Sequence, residues 1–207
     1  MGNYTDPRKK YPTAVSEDME KRLVGMARDG NDKAFEQLVT IYEKTVFNMA
    51  MYIMKDREDA LDVSQEVFIK LWRSLESFRG ESSLKTYLMM LTRNAAYDLL
   101  RKKKRMQSAP LYYENEDGKE TSMDIVDESD EANPEQSYLK KEKIETVRKA
   151  ISTLDPSYRD VIIMRDISSM SYAEIARVTG LAEGTVKSRL SRARMALKKI
   201  LQEWNYF

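Results

Sequence analysis

The chain has 207 residues, 35 Lys/Arg against 34 Asp/Glu, a formal net charge of +1, and neither cysteine nor histidine. That composition excludes disulfides, thiolate or imidazole metal sites, and Cys–His or Ser–His–Asp catalysis. No acidic cluster sits on a Gly-turned loop, no apolar run approaches the ~20 residues of a bilayer span, and no signal-peptide pattern opens the chain. The expectation is a soluble, cytoplasmic, non-enzymatic protein without cofactor or metal.

The elements read as helices throughout, with no strand alternation. Residues 1–16 are polar, carry two prolines, and are expected to be disordered. A first helix is expected over Asp18 to Arg28, ending near Asp29-Gly30. A second begins near Asn31 and carries Phe35, Leu38, Val39, Tyr42, Val46, Met49, Ala50 and Ile53 at three-to-four spacing. A third covers Arg57 to Glu76. The stretch Ser77-Phe-Arg-Gly-Glu-Ser-Ser83 breaks it from a fourth, which begins after Ser82 or Ser83 and runs into the five cations 101–105. Residues 107–137 have no periodic apolar face and cannot bury enough surface to offset their ordering entropy, so they read as a linker. Further helices are expected over Tyr138 to Ser152 and from Pro156, the latter with Val161, Ile162 and Met164 among its apolar residues. The fold class is all-α: two helical domains, 17–105 and 138–207, joined by a flexible acidic linker, 106–137.

The last domain contains a helix-turn-helix pattern. Ser171 followed by Glu174 is a capping box. Ala176 is small enough for a close helix crossing, Gly180 permits the positive φ of a tight turn, and Val186 can bury against the first helix. A second helix from about Glu183 carries Lys187, Ser188, Arg189, Arg192 and Arg194 outward. Such a helix fits the DNA major groove. Ile175, Ala176, Leu181, Val186 and Leu190 read as core.

Charge distribution supports this reading despite the near-zero total. From Gln136 to the end there are 14 Lys/Arg against 8 Asp/Glu, and between Thr185 and Ile200 six cations and no carboxylate. Between Leu111 and Glu135 there are 10 acidic residues and only Lys119 against them. Local field rather than total charge steers a polyanion.

Three stretches carry a family resemblance. Asp59-Ala-Leu-Asp-Val-Ser-Gln-Glu-Val-Phe-Ile-Lys-Leu-Trp72 resembles the polymerase-binding helix of sigma region 2. Phe78 to Arg101 resembles the promoter-melting part of that region. Ala150 to Leu201 resembles region 4. Together they resemble the extracytoplasmic-function (ECF) branch of the sigma-70 family, over about Met19 to Arg105 and Glu142 to Leu201. Tyr87 stands where the family usually has Trp, and Ala182 where it often has Ser.

The resemblance implies a sigma factor that directs core RNA polymerase to promoters. Its implied partners are core polymerase, promoter DNA (duplex and the single-stranded non-template strand) and an anti-sigma factor. It implies polymerase contacts at Asp59, Asp62, Gln65 and Glu66, with Trp72 mainly in the core. It implies minus-ten contacts at Ser82, Ser83, Lys85, Asn94, Asp98 and Arg101, with Phe78 leaning to the core. Minus-thirty-five contacts fall at Thr185, Lys187, Ser188, Ser191 and Arg192, while Arg194, Lys198 and Lys199 are peripheral. Asn94, Asp98 and Arg101 also read as a local polar ladder at i, i+4, i+7. Cations 101–105 read equally as a solvated helix end or a phosphate contact. Two rivals stay open: a stand-alone helix-turn-helix regulator, and a helical adaptor whose basic face binds an acidic partner.

Overall fold

The computed structural model describes residues 16–107, 134–204 and 206. The expected disorder of 1–15 and the body of the acidic linker, 108–133, lie outside them. The described residues form α1 Glu17–Arg28, α2 Asp32–Met54, α3 Arg57–Ser74, α4 Leu84–Gln107, α5 Pro134–Thr153, α6 Pro156–Ile162, a π-helical turn Ile163–Ile167, α7 Tyr172–Thr179 and α8 Glu183–Glu203, with no strand among them. The helix α5 begins four residues earlier than the linker reading allows, at Pro134. Its fixed φ suits a first helical turn, where its missing N–H costs nothing.

Side-chain caps set most of the starts. Ser16 accepts from Met19 N–H at 3.3 Å, Asn31 from Ala34 N–H at 3.1 Å, and Asp56 from Asp59 N–H at 2.9 Å. Ser83 caps α4 by accepting from Thr86 N–H at 3.2 Å. Each satisfies an amide that the helix leaves without an internal partner. Between α1 and α2 the chain turns at Gly30, φ +85°.

The first module packs α2 against α1, α3 and α4. Leu38, Val46, Met49 and Ile53 of α2 meet Val63, Val67 and Leu71 of α3 and Leu88 and Met89 of α4, all essentially fully buried. The second module packs α6 and α7 on α8, with α5 alongside. Val161, Ile162, Ile175, Val186 and Leu190 fill it. The helical period delivers these residues to one side of each helix. The two modules also touch: α4 packs on α7, α5 reaches α2, and the buried apolar residues of both modules form one contiguous cluster.

Trp72 departs from the sequence expectation. It is 43 % exposed, with its ring edge-on to Phe35 at 4.7 Å between ring centroids. Leu71 takes the fully buried position instead. Phe78 does pack against the core, as expected. Tyr87 stacks on it at 5.2 Å and donates its hydroxyl to Ser74 Oγ at 2.9 Å. That gives the tyrosine a hydrogen bond that an aromatic side chain buries well only when its polar tip is satisfied.

Candidate nucleic-acid and polymerase interfaces

The reading helix α8 forms as its sequence dictates. Ser171 Oγ accepts from Glu174 N–H at 3.2 Å while Glu174 accepts from Ser171 N–H at 2.8 Å, so the capping box closes. The helix α7 ends at Gly180, φ +71°, whose N–H reaches Ala176 O at 2.8 Å. Ala182 takes the extended N-cap backbone of α8 but offers no side-chain cap. Val186 and Leu190 then anchor α8, leaving Thr185, Lys187, Ser188, Ser191 and Arg192 exposed together. Lys187 Nζ lies 5.4 Å from the centroid of the Tyr172 ring, so the ammonium itself rests over the aromatic face. Arg194 bonds Asp166 through both Nε and Nη2, at 3.1 and 2.5 Å, which sets it apart from the face that the first five residues share.

On α3, Asp62, Gln65 and Glu66 are exposed on one side, joined by Leu61, Ile69 and the exposed part of Trp72. Asp59 belongs to the same side but differs. Its carboxylate is only 14 % exposed and holds Lys103 Nζ of α4 at 2.5 Å. Glu66 pairs with Lys70 at 2.6 Å, an exposed i,i+4 pair of the kind worth a few tenths of a kcal/mol and readily exchanged.

The expected minus-ten residues divide into two groups. Asn94, Asp98 and Arg101 lie exposed along α4, with Asp98 and Arg101 ion-paired to each other. Ser82, Ser83 and Lys85 lie at the start of α4, and two of them, Ser83 and Lys85, bond to the second module. Ser83 Oγ donates to Glu174 Oε1 at 3.3 Å, beside Thr86 Oγ1, which donates to the same oxygen at 2.9 Å. Lys85 Nζ donates to Ser168 O. Burial lowers the pKa of that ammonium, with the nearby Glu174 carboxylate pulling it back upward. Burial alone would raise Glu174, but hydrogen bonds from the Ser171 amide and from the Ser171, Thr86 and Ser83 hydroxyls outweigh it and hold the carboxyl below its ordinary value.

Four further polar residues tie the modules together, and none was singled out in the sequence. Asp160, 3 % exposed, accepts from Arg93 Nε at 2.7 Å and from Tyr97 hydroxyl at 2.8 Å. Burial pushes the Tyr97 phenol well up, and Asp160 pushes it further, against the pull of Arg159 and Arg93, so it remains a donor. Arg159, 5 % exposed, donates to Tyr52 O at 3.2 Å and Ile53 O at 3.5 Å, carbonyls in the last turn of α2. A cation there complements the negative end of the helix dipole. A cleft of about 300 Å³ opens on this seam between Arg93, Tyr97, Asp160 and Arg189. The signal that was present in the sequence is the adjacent residues Arg159 and Asp160 directly before the apolar run Val161 to Met164, two opposite charges at helical positions next to a run that must bury.

Two helical modules, one ending in an exposed cationic reading helix, define a DNA-reading protein of the transcription class. The sigma-70 region 2 family matches residues 38–106 and sigma-70 region 4 matches residues 144–197. The chain is 31 % identical over 189 residues to the RNA polymerase sigma-H factor of Pseudomonas aeruginosa, covering 91 % of this chain and 96 % of the relative. It is 30 % identical over 192 residues to the ECF RNA polymerase sigma factor SigW of Bacillus subtilis, covering 90 % and 99 %. Its structure resembles that of the sigma factor RpoE from Bartonella quintana, solved with the anti-sigma factor NepR, with TM-score 0.61, 27 % identity, and 82 % of this chain and 98 % of that one covered. The chain belongs to the ECF RNA polymerase sigma factors of the sigma-70 family, which direct core polymerase to promoters and start transcription. The stand-alone regulator and the adaptor give way, because both leave the region 2 match unexplained.

Proposed function

We propose that residues 17–105 dock on core polymerase and open the minus-ten element, and that residues 138–207 read the minus-thirty-five element as duplex. The observation that carries this is the outward grouping of Thr185, Lys187, Ser188, Ser191 and Arg192 on α8, a helix otherwise anchored by Val186 and Leu190. Lys187 and Arg192 suit guanine edges or phosphates, and the hydroxyls suit shorter contacts. Asp62, Gln65 and Glu66 form the docking face for arginine-bearing polymerase helices, and Asp59 joins them by exchanging its bond to Lys103. Ser82, Ser83 and Lys85 receive an extruded minus-ten base, while Asn94, Asp98 and Arg101 contact the edge of the melted duplex. The chain acts by binding, with bond-making left to polymerase, and it works in the cytoplasm, where polymerase is. No helix among the described residues is long and apolar enough to cross a membrane. The complex formed by the Bartonella relative supports an anti-sigma factor as a further partner.

In vitro transcription with core polymerase on a promoter library tests this reading. Start-site selection should appear only when the chain is added. Equal initiation with and without it would refute the assignment.

A further inference from the structure

Resting on the assignment of the 77–83 loop to the minus-ten strand, we infer that α1 is a clamp that holds this loop in its receptive shape, with Glu20 and Arg28 as positioning residues for minus-ten recognition. Both ends of the loop are bonded to this one helix. At the loop's entry, Arg28 Nη2 donates to Phe78 O at 3.1 Å. At its exit, Glu20 Oε1 accepts from Leu84 N–H at 3.3 Å. Residues 20 and 28 stand just over two turns apart on α1, ~12 Å along its axis. The helix lies ahead of the stretch matched as region 2, and Leu23, Val24 and Ala27 bury its inner face.

Each bond answers a need that the loop cannot meet by itself. Leu84 supplies the first amide of α4, one of those that a helix start leaves without an internal partner. Ser83 satisfies the Thr86 amide, whereas the Leu84 amide is satisfied from 64 positions away. The Glu20 carboxylate also lies at the positive end of the α4 dipole. Glu20 is itself fixed, because its other oxygen, Oε2, accepts from the Tyr42 hydroxyl of α2. Burial raises the pKa of that phenol and Glu20 raises it further, so it stays a donor. At the entry, the Phe78 ring packs on Tyr87 at 5.2 Å and its N–H bonds Leu75 O at 3.2 Å. Arg28 takes the remaining polar group, the carbonyl. Between the anchored ends the chain bends at Gly80, φ +68°.

The consequence for recognition is preorganisation. Extruding a base costs free energy that pocket contacts must return. A loop ordered only on binding returns less, because fixing its backbone costs entropy at that moment. A loop already tied to a packed helix holds its donors in place beforehand. Both clamp bonds go to main-chain atoms of residues 78 and 84. They therefore fix where Ser82, Ser83 and Lys85 stand without using those side chains.

The test uses the full chain with core polymerase, transcribing two promoter libraries, one randomised across the minus-ten element and one across the minus-thirty-five. Arg28→Met removes the donor and keeps the stem, and Glu20→Ala removes the acceptor. Each should flatten base preference at minus-ten about tenfold and leave minus-thirty-five preference and affinity for core polymerase unchanged. Glu20→Gln keeps a side-chain carbonyl for the Leu84 amide and should restore most of the preference. Leu23→Ala, on the buried face of the same helix, should lower the denaturant midpoint while leaving minus-ten preference intact, since it removes neither bond. A flattening by Leu23→Ala as large as that by Arg28→Met would reduce α1 to a stabiliser and overturn the clamp. So would unchanged preference in Arg28→Met and Glu20→Ala while Ser82→Ala, inside the loop, alters it. If Ser82→Ala also changes nothing, the minus-ten assignment itself fails and the clamp falls with it.

Discussion

Arg192 and Glu66 show how differently two exposed charges are used. Arg192 stands on a helix face with no carboxylate among residues 185–200, so its field adds to that of Lys187. Bidentate recognition of a base edge is worth about 1–3 kcal/mol. Arg192→Ala should lower promoter use about tenfold or more in transcription assays while the affinity for core polymerase stays unchanged. Equal loss of both would remove Arg192 from the DNA face. Glu66 gives little to stability through its exposed pair with Lys70, so its value lies in what it meets outside the chain. Asp62→Ala together with Glu66→Ala should weaken binding to core polymerase in a titration and leave DNA binding by residues 138–207 unaffected.

The turn and caps of α7 and α8 decide whether the reading helix is presented at all. Gly180 sits at φ +71° with nothing within 4 Å of an added Cβ. Gly180→Ala therefore meets no clash and costs only the left-handed backbone penalty, about 1–2 kcal/mol. Ala182 has cap backbone, φ −65° and ψ 145°, but no cap side chain. Ala182→Ser should raise unfolding free energy by about 1 kcal/mol, seen as a higher denaturant midpoint with an unchanged slope. A drop in midpoint would mean that the α8 amides are satisfied some other way. The π-helical turn Ile163–Ile167 is the one element with no precursor in the pattern, since its residues fit an α-helical period equally well. Arg165 Nη1 donates to Met170 O at 2.6 Å, a local bond that closes the chain just after this turn.

At the scale of the whole molecule the seam between modules is polar and titratable. Glu174 is held below the ordinary glutamate value, chiefly by its bonds from Ser171 in the α7 cap and further by Thr86 and Ser83 across the seam. A depressed carboxylate contributes stability that is present above the ordinary value and is lost as pH falls through the depressed one. The fold should therefore lose stability on that acid limb, read as a lower denaturant midpoint, and Glu174→Gln should flatten the response while its amide can still close the capping box with Ser171. An acid limb unchanged by that substitution would place the sensitivity elsewhere.

Sequence alone determined the two helical modules and most of their helix starts, α5 excepted. Those features rest on local rules: caps at Ser16, Asn31, Asp56 and Ser171, one glycine at a left-handed turn, and apolar residues at helical spacing. The candidate site residues came from the family resemblance rather than from any pattern along a single helix. Tertiary structure alone decided that Trp72 faces outward beside a buried Leu71, that Asp59 is taken up by Lys103, and that Ser83 and Lys85 bond to the second module. The physical reason is range. A cap or a period is complete within a few residues, whereas the bond from Arg93 to Asp160 joins positions 67 apart in the chain and exists only once both modules have folded and met.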